Sequence, residues 1–194
     1  MGICHLETLE LLDDTLEKLN IKYNNSKMFE LGNQRAWPSL NLTCIKKRWK
    51  NGRNGAKILD LSYRGLRQHP DGDQLKILGG PFNIITNFGT SEHVEGQYWC
   101  FRNIHEFCEV GGIIYHKVPR VGSWKNHCPY YYDTEFFEKL ASLSGYEIVV
   151  NKVWNHDDQT PQRAREECVC IYKKVKDTPF ITEEEFNSLP ITKV

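Results

Sequence analysis

The order of apolar segments along this chain predicts an α/β fold built on a largely parallel, doubly wound sheet. Three observations carry that expectation. Short β-rich runs alternate with stretches of helical periodicity, three strand candidates stop at Gly or Pro (Gly32, Gly89 and Pro119), and two further strand candidates follow late in the chain.

The elements follow in order. Leu6, Leu9, Leu12, Leu16 and Leu19 recur at spacings of three and four, with Glu7, Glu10, Asp13, Asp14, Glu17 and Lys18 between them. That spacing predicts an amphipathic helix with one apolar stripe. After Asn24-Asn25-Ser26, Met28-Phe29-Glu30-Leu31-Gly32 reads as a short strand that stops at a Gly, the usual doorway to a tight turn. Residues 33–55 contain Trp37-Pro38, the basic run Lys46-Lys47-Arg48-Trp49-Lys50 and Gly52-Arg53-Asn54-Gly55. The basic run fits a solvated face or a contact with an anionic substrate or partner.

Residues 56–61 read as another strand, and Phe82–Phe88 as a strand covered on both faces. Tyr98, Phe101, Ile104, His105 and Cys108 form a helical stripe over 97–109 that Gly111-Gly112 closes, and residues 113–118 form the next strand, ended by Pro119. Asp133 is placed to cap a helix over Thr134–Ser144, with Phe136, Phe137, Leu140 and Leu143 inward and Gly145 as its stop. Strands at 146–150 and 168–173 flank a polar stretch, and residues 174–194 hold few core formers besides Phe180, Ile181 and Phe186. The chain therefore reads as a single domain over 1–194: an N-terminal helix (1–24), a core (25–174) and a C-terminal tail (175–194).

At 194 residues, with 40% hydrophobic and 12% aromatic side chains, the chain is long enough to bury a real core. Its 25 basic and 25 acidic side chains balance, so no net field draws a polyanion and a nucleic-acid partner is not expected. No apolar run approaches a membrane span. Seven scattered cysteines, with no charged-then-apolar leader before them, read as reduced thiols in a cytoplasmic protein. Cys168 and Cys170 share one strand face, yet no Cys/His pair stands at zinc-ligand spacing nearby, and no metal site is expected.

Residues 82–150 carry a specific run of words: Ile84-Ile85-Thr86-Asn87-Phe88, Ser91-Glu92-His93-Val94, Gly111-Gly112-Ile113-Ile114, and Tyr132-Asp133-Thr134-Glu135-Phe136-Phe137 through Gly145-Tyr146-Glu147. In order and spacing this stretch resembles the second half of class I S-adenosylmethionine-dependent methyltransferases, particularly the small-molecule group. The resemblance implies a Rossmann-like sheet with helices on both faces and an antiparallel last strand. It also implies S-adenosylmethionine as cofactor.

The first half matches the family less closely. Where the family has an acid followed by Gly-x-Gly, this chain has Glu30-Leu31-Gly32-Asn33-Gln34. Asn33 and Gln34 carry amides suited to the amino-acid end of the cofactor, or to capping a following helix. Asp60 is the candidate for the acid that holds the ribose hydroxyls, at the end of the second strand or on the third. With Phe82–Phe88 as the family's fourth strand, the resemblance implies that Asn87, Phe88 and Gly89 leave the sheet beside the cofactor, Gly89 permitting close approach of the backbone. Thr90 or Ser91 is placed to cap a helix starting near Glu92. His93 reads either as an imidazole packed in that helix start or as a contact to cofactor or substrate.

Methyl transfer from a sulfonium is an in-line displacement in which positioning supplies much of the rate, and a general base is needed only for a protonated nucleophile. The resemblance places the segment after the fifth strand over the substrate. That segment holds His116, at a strand end, and His127, with Tyr130 three residues on; each histidine suits a proton acceptor or a packed structural ring. Tyr130-Tyr131-Tyr132 reads as a packed lid. The chain has no Gly-x-Ser-x-Gly, phosphate loop, His-Glu-x-x-His or Gly-x-Gly-x-x-Gly, and Thr86-Asn87-Phe88-Gly89 is not the Asn/Asp-Pro-Pro-aromatic motif of nucleic-acid amine methyltransferases. Two functions stand: a methyltransferase acting on a small polar or sugar-like acceptor, and a noncatalytic relative that uses the fold as a binding module. A homodimer fits so compact a chain, though no particular residue specifies it.

Overall fold

The computed structural model describes residues 3–4, 6–32, 35–36, 59–155 and 165–194. The first helix, α1 (Leu6–Lys18), follows a two-residue strand β1 (Ile3–Cys4), which pairs in parallel with β3 (Arg35–Ala36). The main sheet has five strands: β2 (Met28–Glu30), β4 (Phe82–Phe88), β5 (Cys108–Pro119), β7 (Tyr146–Asn155) and β8 (Glu166–Lys174). Their order across the sheet is β2-β4-β5-β8-β7. The first three run parallel, and β8, the last of the five along the chain, runs antiparallel to both its neighbours, β5 and β7. A mixed α/β sheet with a parallel beginning and an antiparallel last strand is therefore observed.

Both faces of the sheet are covered. On one, Leu9, Leu12 and Leu16 of α1 pack on Ile84, Phe88, Ile113, Tyr115, Val169 and Ile171. The short helix α2 (Gln74–Ile77) precedes β4, and on the other face lie α3 (Gln97–Phe107) and α4 (Thr134–Ser144), whose Phe101, Ile104, Phe136, Phe137 and Leu140 meet Ile85, Ile114, Cys168, Cys170 and Tyr172. Alternate residues of β4, β5 and β8 thus serve opposite faces, the period of two expected of strands buried on both sides.

The caps of α4 are those the sequence predicts: the Asp133 carboxylate accepts from Thr134 N–H, and Gly145 turns out of the helix at φ 69°. Leu143, expected inward, is 48% exposed. Residues 59–61, the described end of an expected strand, are irregular instead. Three side-chain bonds from Asn103 hold that segment: Oδ1 accepts from Leu66 N–H, and Nδ2 donates to the carbonyls of Leu61 and Tyr63.

Gly111-Gly112 was expected to separate helix from strand, but β5 already begins at Cys108 and both glycines lie within it. The pairing of β5 with β4 slips there, from Phe82↔Cys108 to Ile84↔Ile113. Gly111 takes φ +87° and Gly112 brings its backbone against Asn83, so the pair builds an irregularity inside the strand.

The C-terminal tail packs into the domain. Ile181, Phe186 and Leu189 join the larger core, α5 (Glu183–Asn187) is closed by a capping box between Thr182 and Glu185, and β9 (Thr192–Lys193) pairs with β6 (Tyr130–Tyr131). Cys100, Cys108, Cys128, Cys168 and Cys170 are free, buried thiols. Among the described residues no helix is long and apolar enough to cross a membrane.

Candidate functional site

Because β2, β4 and β5 are parallel, the segments that follow them emerge at one edge of the sheet, the carboxyl edge where open α/β sheets bind ligands. Glu30 stands opposite Thr86 in the register, and Leu31 N–H donates to the Thr86 carbonyl at 3.0 Å. Glu30 and half-buried Gly32 therefore leave β2 beside the point where Asn87, Phe88 and Gly89 leave β4. A Cβ on Gly96 would lie 2.9 Å from Ser62 Cβ, so the irregular segment carrying Asp60 reaches the same edge. Asn33 and Gln34 lie outside the described residues, as does the basic run 46–50.

The structure gives these residues different tasks. Asp60 Oδ1 accepts from both the N–H and the hydroxyl of Ser62, closing a local turn; it ends no strand. Phe88 points to the α1 face, edge-to-face with Tyr115 at 4.8 Å. Gly89 takes φ 69°, a conformation that favours glycine, and its N–H donates to the Lys117 carbonyl.

Asn87 is the hub of a buried polar network. Its Oδ1 accepts from Ser91 N–H at 3.0 Å, which turns Nδ2 toward Ser91 Oγ at 2.8 Å and His116 Nδ1 at 3.0 Å. An amide nitrogen only donates, so His116 Nδ1 is the acceptor and its proton sits on Nε2. Tyr132 Oη lies 3.1 Å from Ser91 Oγ and donates to Gln97 Oε1 at 2.7 Å, while Gln97 Nε2 donates to the carbonyls of Ser91 and Val94. This network replaces the capped helix expected near Glu92. Residues Ser91–His93 form a single 3-10 turn, and α3 starts only at Gln97.

His116, expected at the crevice as a proton acceptor, is a core imidazole. It is 1% exposed and stacked among Phe101, Phe137 and Tyr172, and burial drives its pKa down to about 3. Tyr130 is likewise engaged elsewhere: its hydroxyl donates to the Glu95 carbonyl at 3.0 Å.

His127 and His93 do come together. The 3-10 turn after β4 presents His93, the loop after β5 presents His127, and the two rings meet with centroids 5.2 Å apart. Backbone at positive φ shapes the second loop at Trp124 (47°) and Asn126 (60°). The Tyr131 hydroxyl pins it, accepting from the N–H groups of His127 and Cys128 and donating to the Trp124 carbonyl.

Beneath the two rings sits Glu92, the residue sequence reasoning passed over. Its side chain is 0% exposed and His93 Nε2 lies 3.7 Å from its Oε1. Neither of its carboxylate oxygens has a hydrogen-bond partner among the described residues. Burial raises its pKa to about 7, outweighing the pull of its own backbone N–H in the opposite direction. Burial also lowers both histidines from the ordinary imidazole value. One ligand atom from each of Glu92, His93 and His127 can be chosen so that all lie within 4.8 Å of one another. The sequence signal was Glu92-His93 next to each other, but nothing in one dimension brings His127 to them.

A cleft of about 530 Å³ lies at the opposite edge, lined among others by Arg67, Arg102, His105, Lys174 and Asp177. None of the described cofactor-binding or catalytic candidates lines it.

Fold and site together define an α/β protein with a His-His-Glu cluster at the carboxyl edge of a mixed sheet. Comparison with protein-family models and with curated protein sequences found no match to the chain.

Proposed function

We propose that the protein is an S-adenosylmethionine-dependent methyltransferase acting on a small polar or sugar-like acceptor, with a Rossmann-like fold. The observation that supports this most is the pairing of β2 with β4. It sets Glu30-Leu31-Gly32 beside Asn87-Phe88-Gly89 at the carboxyl edge, where the sequence resemblance calls for cofactor contacts. That β8, the last strand of the main sheet along the chain, runs antiparallel to its neighbours agrees with the same resemblance.

In this reading Gly32 and Gly89 let the backbone approach the cofactor, and His93 and His127 face the acceptor from the solvent side. S-adenosylmethionine held there would supply a methyl group already activated by the sulfonium charge and would leave as the neutral thioether, while an exposed imidazole or water would take the acceptor proton. Alignment of the nucleophile carries most of the catalysis, so the site needs few reactive groups.

Isothermal titration of the folded protein with S-adenosylmethionine and with S-adenosylhomocysteine tests the proposal. Micromolar binding that is lost in Gly32→Val and weakened in Asp60→Ala is the expected result. A folded protein that takes up neither ligand is not a methyltransferase, and its carboxyl edge then serves as a binding module.

A further inference from the structure

We propose that Glu92, His93 and His127 form a binding site for one divalent first-row transition-metal ion. The cluster is drawn from two separate loops, yet its three ligand atoms already lie within 4.8 Å of one another. Bonds of about 2.1 Å to a common ion place neighbouring ligand atoms roughly 3.0–3.4 Å apart. The 3.7 Å between His93 Nε2 and Glu92 Oε1 is thus a few tenths of an ångström from coordination geometry, and too long for a hydrogen bond.

Burial across the cluster is asymmetric. Glu92 forms a fully enclosed floor whose two oxygens accept no hydrogen bond from the described residues, while His93 is 45% exposed and His127 is exposed as well. A carboxylate shut away from water is costly unless it is paired or coordinates a metal, and a cation between floor and rings supplies what the protein does not. The donor set selects the ion: two imidazoles with one carboxylate suit manganese, iron, cobalt or zinc, whereas magnesium and calcium call for oxygen ligands throughout.

The surroundings are built for ligation. The Tyr131 hydroxyl fixes the loop that carries His127, and the Asn87–Ser91 network fixes the turn that carries Glu92 and His93. Three protein ligands leave positions open on the exposed side. In the methyltransferase reading, on which this role rests, an acceptor oxygen takes one of those positions, loses its proton more readily there and is held in line with the methyl group.

The test uses the full-length untagged chain, freed of metal with a chelator and titrated with Co²⁺ followed by visible absorption, with Zn²⁺ retention measured by dialysis. One ion per chain is expected. Affinity should fall more than about 100-fold in Glu92→Gln and in His127→Asn, beyond the effect of an outer-shell partner. His127 is exposed and Glu92→Gln preserves shape, so circular dichroism should show both variants folded. A wild-type chain that retains neither ion, or one ion held equally well by His93→Asn and His127→Asn, overturns the site. Cofactor titration of the metal-free chain separates the two proposals: cofactor uptake without metal uptake overturns the site alone. Metal uptake without cofactor uptake supports the site and overturns the methyltransferase reading.

Discussion

Asn87 and His116 stand opposite each other on β4 and β5, and the Asn87 amide donates to His116 Nδ1 at 3.0 Å in the middle of the core. That one bond fixes a tautomer, turns the Asn87 carbonyl oxygen to Ser91 N–H, and so sets the direction in which the chain leaves the sheet toward Glu92 and His93.

Asn87→Ala removes three buried partners at once and leaves His116 Nδ1 and Ser91 N–H unsatisfied. Each orphaned group costs about 1–3 kcal/mol, so a loss of about 2–6 kcal/mol is expected in urea unfolding. A loss below about 0.5 kcal/mol, typical of a neutral surface change, would show that the network does not hold the turn.

Gly111 and Gly112 make a matched pair. A Cβ on Gly112 would stand 2.9 Å from the Asn83 carbonyl oxygen and 3.1 Å from Cys108 Sγ. Gly112→Ala should therefore cost about 1–3 kcal/mol through overpacking against backbone. At Gly111 a Cβ meets nothing, but φ is +87°, and Gly111→Ala should cost about 1–2 kcal/mol through backbone strain alone. Placing Ala at both positions should sum the two costs only if the β5 irregularity stays put; a register change by hydrogen exchange is the alternative result to look for.

The pH dependence of stability has a sign that can be worked out. Burial holds His116 at about 3 and His105 at about 4 in the folded chain, against 6.5 when unfolded. Unfolding therefore takes up protons below pH 6.5, and stability present above that pH is lost as pH falls. Glu92 acts oppositely: its folded value of about 7 lies above the unfolded 4.5, so its burial becomes less unfavourable as pH falls from 7 to 4.5. Glu92→Gln removes this offset. In metal-free buffer between pH 6.5 and 5, the variant should lose stability more steeply than wild type, by about 1.4 kcal/mol per pH unit. Equal slopes would mean that Glu92 titrates normally.

Tyr131→Phe keeps the ring and deletes the hydroxyl that pins the His127 loop. Co²⁺ affinity should drop about 10-fold with the fold retained, the size of effect seen when an outer-shell partner is lost. Unchanged affinity would place the rigidity of that loop elsewhere.

Much of the architecture was legible in one dimension because each signal was local. The leucine spacing of α1 marked its buried stripe, and Asp133 and Gly145 marked both ends of α4. Local signals misled where tertiary contacts outweighed them. Gly111-Gly112 looked like punctuation, yet β5 pairs with β4 on both sides of them, at Cys108 and again at Ile113, so they lie inside the strand. Asp60 looked like a strand end, yet the segment after it is tied down by Asn103 from a helix far along the chain.

The candidate site divides in the same way. Sequence alone determined which side chains were available: a Glu next to a His after an apolar strand, a histidine near the end of the next strand and another in the loop beyond it. It could not decide which of them share a space, because that depends on the parallel pairing of β4 and β5 and on how the loop after β5 folds back. Tertiary structure buried His116 among aromatic rings, brought His127 within reach of His93, and placed Glu92 beneath both. The physical reason is that burial and proximity are properties of packing in three dimensions, while sequence spacing reports only which face of its own element a residue occupies.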